Sequence, residues 1–170
     1  MIIRKEKVTD YEMIYSVVKK AFDSAEHADG NEPELVNELR KGLSYIPELS
    51  LVAETDGRIV GHILFTKAKV NDNTVLALAP LSVLPEYQRQ GTGTALIKEG
   101  HKIAKALGYK YSIVLGSENY YPRTGYVPAD TFGIQPPFDV PGENFMAYKL
   151  DENAPDIHGT IEYAQEFGIA

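Results

Sequence analysis

The stretch LSVLPEYQRQGTGTALIKEG, residues 81–100, sets Gly91 and Gly93 ahead of an amphipathic segment. Glycine is a poor helix residue, so two of them at the mouth of a helix ask for a reason. A helix begins with unpaired backbone N–H groups at the positive end of its dipole. A glycine turn feeding such a helix lets the oxygens of an anion approach, because no Cβ stands in the way. Gly91 and Gly93 stand where that site would form. Taken alone, they fit a tight strand-to-helix turn without a ligand equally well. Two other phosphate loops are excluded. A Walker loop needs Gly-Lys-Ser/Thr, but Gly93 is followed by Thr94 and Ala95. A dinucleotide fingerprint needs a third glycine where Leu96 stands, and it wants no insertion such as PEYQRQ after the strand.

The remaining reactive side chains are scattered. The chain has no cysteine, which removes disulfides, thiolate metal sites and a cysteine nucleophile together. His27, His62, His101 and His158 share no ligand spacing with one another or with an acid, so no metal is expected. His62 alternates with Ile63 along a strand and reads as structural. Lys98, His101, Lys102 and Arg123 can reach phosphates, although a solvated helix face explains the first three as well.

These residues must be positioned by a sheet and a few helices. Residues 2–8 read as an opening strand, and Thr9 with Glu12 reads as a capping box before a helix. Asn31 caps a second helix, with Leu35, Val36 and Leu39 on one face and Gly42 as its stop. SLVAE and RIVGHILFTKAKV read as strands joined by the Asp-Gly hairpin TDGR. TVLALAPLSVL is a third strand, in which Pro80 marks a bulge or an unpaired edge position. Ala95, Leu96, Ile103, Ala104 and Leu107 then keep helical spacing to Gly108, followed by the strand KYSIVLG, the turn SENYYPRTGY and the strand NFMAYKL. This order predicts an α+β domain whose mixed sheet contains one parallel crossover.

The 170-residue length suits one domain with a sizeable core, and 44% hydrophobic residues exclude a disordered chain. No apolar run nears the roughly 20 residues of a membrane span, and the N-terminus lacks a signal peptide's apolar stretch. A soluble cytoplasmic protein is expected. A net charge of −7 argues against nucleic acid and suits a cationic or amine ligand. The end beyond Lys149 has no Lys or Arg, and it reads as a solvated acidic extension, residues 151–170, packed on a domain of residues 1–150.

The pattern Gln/Arg-x-x-Gly-x-Gly/Ala, met as Gln88, Gly91 and Gly93 behind LSVLPEY, resembles the acetyl-coenzyme A motif of the GNAT superfamily of N-acetyltransferases. Downstream, YYPRTGY matches the family's aromatic-Tyr-x-x-x-Gly-aromatic segment through Tyr120, Tyr121, Gly125 and Tyr126. VLGSENYYPRTGY, PPFDVPGENFMAYKL and EPELVNELR resemble a YhbS-like bacterial branch. One departure is Gln88-Arg89-Gln90, where many relatives carry a glycine at the position of Arg89.

The resemblance implies a mostly antiparallel central sheet, a V-shaped splay between its two central parallel strands, and helices on both faces. It implies acetyl-coenzyme A as co-substrate, held by the backbone of Leu81, Ser82 and Val83 and by the loop Gln88, Arg89, Gln90, Gly91, Thr92, Gly93, Thr94 and Ala95. Tyr121 is then the expected general acid for the departing thiolate, with Tyr120 more of a core residue. Glu32 is the expected base or acceptor contact, with Glu143 a weaker second. The implied reaction is direct acetyl transfer to an amine in a ternary complex. The rivals are a non-catalytic acyl-coenzyme A sensor and a transferase of another acyl group. The expected partners are a small-molecule or peptide amine acceptor, with a homodimer as the alternative to a monomer.

Overall fold

The computed structural model describes residues 1–23 and 30–169; His27, weighed above as a metal ligand, lies outside the described residues. Strands β1 (Ile2–Lys5), β2 (Tyr45–Thr55), β3 (Arg58–Val70) and β4 (Asn73–Val83) form an antiparallel meander. Asp56 and Gly57 both take left-handed backbone angles, φ 51 and 76, as the expected Asp-Gly hairpin between β2 and β3 requires. Helix α3 (Thr92–Ala106) then crosses over to β5 (Tyr111–Leu115), which lies parallel to β4. Short strands β6 (Val127–Pro128) and β7 (Ile134–Gln135) precede β8 (Phe145–Lys149), and β8 pairs antiparallel with both β5 and β6.

The parallel pair is short. Only Leu76↔Ser112 and Ala77↔Ile113 are in register, while β4 runs on to Val83 and β5 to Leu115. Beyond those rungs the two strands part, which is the expected V-shaped splay. Pro80 sits in the expected bulge: Ile63 faces Leu81 and Phe65 faces Leu78, so Ala79 and Pro80 together oppose Leu64.

Helices cover both faces. An added Cβ at Gly61 would touch Leu96 and Thr92 of α3, and one at Gly100 of α3 would strike the Phe65 ring. His62, one residue on from Gly61, therefore points to the opposite face. There it meets Glu6, which is paired with Arg40 of α2 (Glu32–Lys41). Helix α1 (Tyr11–Asp23) packs Ile14, Val17 and Val18 into the core, and α2 adds Val36 and Leu39. Burying each such aliphatic side chain contributes about 1.5–3 kcal/mol.

Three expectations are corrected. The opening strand stops at Lys5 rather than residue 8, because Glu6 turns into the core. The capping box is Lys7–Asp10, not Thr9–Glu12: the Lys7 N–H donates to Asp10 Oδ2 at 2.7 Å, and Arg4 anchors Asp10 at 2.8 Å. The acidic end is more than a solvated face, since β9 (Gly159–Glu162) runs antiparallel to β3 and parallel to β7, burying Ile157, Ile161 and Ala164.

Histidine burial sets a pH dependence. His101 lies under Tyr126 and Tyr148, and burial pushes its pKa down to about 4. Unfolded, it titrates near 6.5, so between about pH 6.5 and 4 the unfolded chain binds a proton that the folded one refuses. Stability should therefore fall with pH across that window, by about 3 kcal/mol from His101. Buried His62, also lowered by desolvation, adds to the same slope. Thermal melts of the parent and of His101→Gln from pH 7 to 4.5 check this; an unchanged slope in the variant would refute it.

Candidate active site

The loop between β4 and α3 is built by its own side chains. The Gln88 amide donates to the Val83 carbonyl at 3.0 Å, and the Gln90 amide donates to the Glu86 carbonyl at 3.1 Å. Both glutamines therefore shape the loop. Gly91 is the residue before the helix, with φ 86, and a Cβ there would meet nothing within 4 Å. Its requirement is conformational, and the space beside it is open. Gly93 has a different reason: a Cβ would stand 2.3 Å from the Tyr120 hydroxyl. Arg89 also takes the left-handed region, φ 62, at the position where the resemblance expects glycine.

The Ala95 N–H is committed to the Gly91 carbonyl at 2.9 Å. As first-turn residues, Thr92, Gly93 and Thr94 have no intrahelical acceptor for their own N–H groups. These groups border a cleft of about 680 Å³ lined by Leu81, Val83, Tyr87, Gln88, Arg89, Gly91, Thr92, Gly93, Thr94, Tyr120 and Arg123. Arg89 and Arg123 give it positive charge on a chain of net charge −7. Helix dipole, free N–H groups and two guanidiniums together suit a polyanionic ligand.

Backbone groups continue the cleft into the splay. The Leu84 N–H donates to the Val60 carbonyl at 2.9 Å, and His62 stands opposite Ser82. In an antiparallel ladder the bonded residues alternate. Leu81 and Val83 therefore turn their N–H and C=O groups away from β3, toward the side where β5 has parted. An acyl-thioester arm laid along β4 would meet those groups.

Of the expected cofactor contacts, the cleft gathers Leu81, Val83, Gln88, Arg89, Gly91, Thr92, Gly93 and Thr94. It does not gather Ser82, Gln90, Ala95 or Tyr121. The Ser82 side chain points to the other face, and the ring of Tyr121 lies on Gly116, where a Cβ would come within 2.4 Å of it. Tyr121 meets Tyr120 edge-on at 5.1 Å, and burial raises its pKa. Tyr120, read as a core residue, is the tyrosine that reaches the cleft. Glu32 is placed apart, in a depression of about 320 Å³ with Glu34, Glu38 and Glu166. Sequence reasoning missed Tyr87, which carries no signal in PEYQRQ, and undervalued Tyr120, whose i+5 spacing to Gly125 was legible but not its direction.

Arg89 yields an expected result of mixed sign. A left-handed non-glycine residue costs about 1–2 kcal/mol, offset by about 0.5–1 kcal/mol of extra backbone entropy for glycine. Arg89→Gly should thus leave the melting temperature equal or slightly raised, yet weaken coenzyme A binding several-fold by removing a guanidinium. Calorimetry beside a thermal melt checks both; unweakened binding would show that Arg89 is only a turn residue.

A model of the Acetyltransferase (GNAT) family matches residues 11–126. The uncharacterized N-acetyltransferase YjhQ of Escherichia coli K12 is 38% identical over 164 residues, 92% of this chain and 88% of that protein. The crystal structure of the E. coli GNAT family N-acetyltransferase YhbS in complex with CoA superposes with a TM-score of 0.89 at 27% identity, covering 98% of this chain and 91% of that one. A GNAT family acetyltransferase from Brucella melitensis, solved in complex with acetyl-CoA, has a TM-score of 0.82 at 31% identity, covering 98% and 97%. With its splayed parallel pair, its glycine loop and these relatives, the chain belongs to the GNAT acetyltransferase family.

Proposed function

We propose that the protein transfers an acetyl group from acetyl-coenzyme A to an amine, by direct attack in a ternary complex. The observation that carries the reading is the cleft itself. Unsatisfied helix N–H groups and two arginines face one end of it, and the outward backbone of Leu81 and Val83 faces the other. The coenzyme's pyrophosphate suits the first end, and its pantetheine arm and thioester suit the second. The complexes of YhbS with CoA and of the Brucella enzyme with acetyl-CoA support coenzyme A as the ligand. A thioester oxygen beside an outward N–H of β4 gains an oxyanion donor without a side chain. The thiolate that leaves needs a proton, and Tyr120 is the phenol at the cleft, with Tyr121 behind it. The cleft placement favours Tyr120 over Tyr121 for this role.

The acceptor is read as cationic. The acidic depression around Glu32 is separate from the cleft, so Glu32 is assigned to attracting the acceptor rather than to taking its proton. Thiol release from acetyl-coenzyme A, measured over a panel of primary amines, aminoglycosides and peptides with free N-termini, tests the function. Cationic acceptors should react best, with the preference fading as salt rises. Tight coenzyme A binding with no turnover for any acceptor would favour the sensor reading, and faster reaction of net-anionic acceptors would refute the charge argument.

A further inference from the structure

The cleft leaves one strongly charged depression unused. It holds about 360 Å³ and lies along the flank of α3, toward the turn at Thr124 and the end of β8. Lys98, Lys102 and Lys105 stand at i, i+4 and i+7 on that helix, so their side chains share one face. All three are exposed, and among the described residues no carboxylate comes within salt-bridge distance of them. Asp151, whose charge Lys105 also feels, is given to Lys110 at 2.8 Å, and Glu152 is the one acid that lines the depression. Lys149 lines it too but holds its ammonium 5.4 Å from the Phe132 ring centroid, so the three α3 lysines carry the charge. Like charges four residues apart on a helix repel, and a helix face that only has to be solvated gains from interleaved acids. With 24 acids against 17 bases, the chain has acids to spare and places none there. The floor beneath the lysines is fixed. His101 is 8% exposed, its ring is stacked on Tyr148 at 4.1 Å, and its Nε2 lies 3.0 Å from Tyr126 Oη, itself 2.8 Å from Ser112 Oγ of β5.

We propose that this depression is a second binding site, for a small ligand carrying two or more phosphate groups, held at the same time as coenzyme A. Lysine ammonium groups are compact point charges with rotatable donors, which suits phosphate, and no arginine fork for a planar carboxylate lines the depression. A phosphate monoester carries roughly −1.5 to −2, so three ammonium groups are matched by about two of them. The volume falls at the lower end of the range for small-molecule sites. Position along α3 separates this site from the coenzyme's. The inference takes from the proposed function only the seating of coenzyme A at the glycine loop. A pyrophosphate seated there meets the first-turn N–H groups of Thr92, Gly93 and Thr94. Lys98 is one turn beyond Thr94, whereas Lys102 and Lys105 are two and three turns beyond it, about 12 and 16 Å along the axis. The remaining phosphate of coenzyme A is one ribose away from its pyrophosphate. It therefore reaches Lys98 at most and leaves the other two ammonium groups to a different ligand.

Inorganic tripolyphosphate is the probe, titrated by calorimetry into the full chain saturated with coenzyme A, whose own Kd is measured first. The probe should bind at low ionic strength, weaken as salt rises, and move the NMR signals of His101 and of the Lys102 and Lys105 side chains. Lys102→Gln should weaken it roughly 2-fold to 5-fold, the effect of one exposed ammonium. Lys98→Gln, Lys102→Gln and Lys105→Gln combined should leave no measurable binding. Binding that the triple variant keeps, signals that move elsewhere but not here, or no binding in the parent overturns the site. Saturation with dephospho-coenzyme A is the second arm. Tripolyphosphate that binds alongside dephospho-coenzyme A but is displaced by coenzyme A would make the depression the seat of the coenzyme's own 3′-phosphate, and the second ligand would be refuted. If coenzyme A itself failed to bind, its own titration would show a failure of the cleft reading, and the probe titrated into the free chain would still judge the depression.

Discussion

Gly91→Val should lose coenzyme A binding by 100-fold or more while the protein stays folded. The residue sits at φ 86, so a β-branched side chain is strained there by about 1–2 kcal/mol or somewhat more. Strain alone would lower the melting temperature and, even if all of it fell on the bound state, weaken binding by about 5-fold to 30-fold, at 1.4 kcal/mol per decade. The larger loss comes from the space. A Cβ at Gly91 meets no protein atom within 4 Å, so new methyl groups project into the region the pyrophosphate must enter. Gly57 provides the comparison: it has φ 76, equally open surroundings, and a place in the hairpin between β2 and β3. Gly57→Val should show a similar fall in melting temperature with unchanged binding. If Gly91→Val bound coenzyme A as tightly as the parent by calorimetry, the anion site would not be at this loop.

The second large effect is expected at the paired tyrosines. Tyr120→Phe should lower turnover by about 100-fold to 10,000-fold, the usual range for losing a general acid. The Kd for acetyl-coenzyme A should barely move, because the hydroxyl matters mainly once charge develops on sulfur. Phenylalanine keeps the ring edge-on against Tyr121, so the local packing survives. Tyr121→Phe should change turnover little, since its ring rests on Gly116 behind the cleft. The reverse ranking, measured where chemistry limits the rate, would return the role to Tyr121. Near-parental turnover in both variants would leave water to protonate the thiolate.

Local signals carried most of the fold into view. The Asp-Gly hairpin, the proline bulge and the glycine-led crossover helix each depend on residues adjacent in the chain, and each stands where the spacing puts it. What escaped depends on contacts between distant segments. Glu6 falls within the expected strand over residues 2–8, and the strand ends at Lys5 because Arg40, Tyr45, Ser50 and His62 are brought around Glu6. The acidic end reads as solvated because its charges hide Ile157 and Ile161, which β3 and β7 cover. The loop was legible as a glycine turn into a helix, yet which of Tyr120 and Tyr121 faces the cleft is a matter of direction, set by Gly93 making room for one hydroxyl and Gly116 for the other ring. Glu32 was named by motif alone, and the fold sets it in a different depression from the cleft.

The parting of β4 from β5 also gives one strand two clocks for hydrogen exchange. The amides of Ser82 and Leu84 are tied to β3, whereas those of Leu81 and Val83 face the gap, although all belong to one short stretch of chain. In the free protein the odd amides should trade deuterium far faster than their even neighbours, an alternation that an ordinary interior strand does not show. Adding coenzyme A should slow the odd amides and leave the even ones as they were, so this strand would record occupancy of the cleft residue by residue.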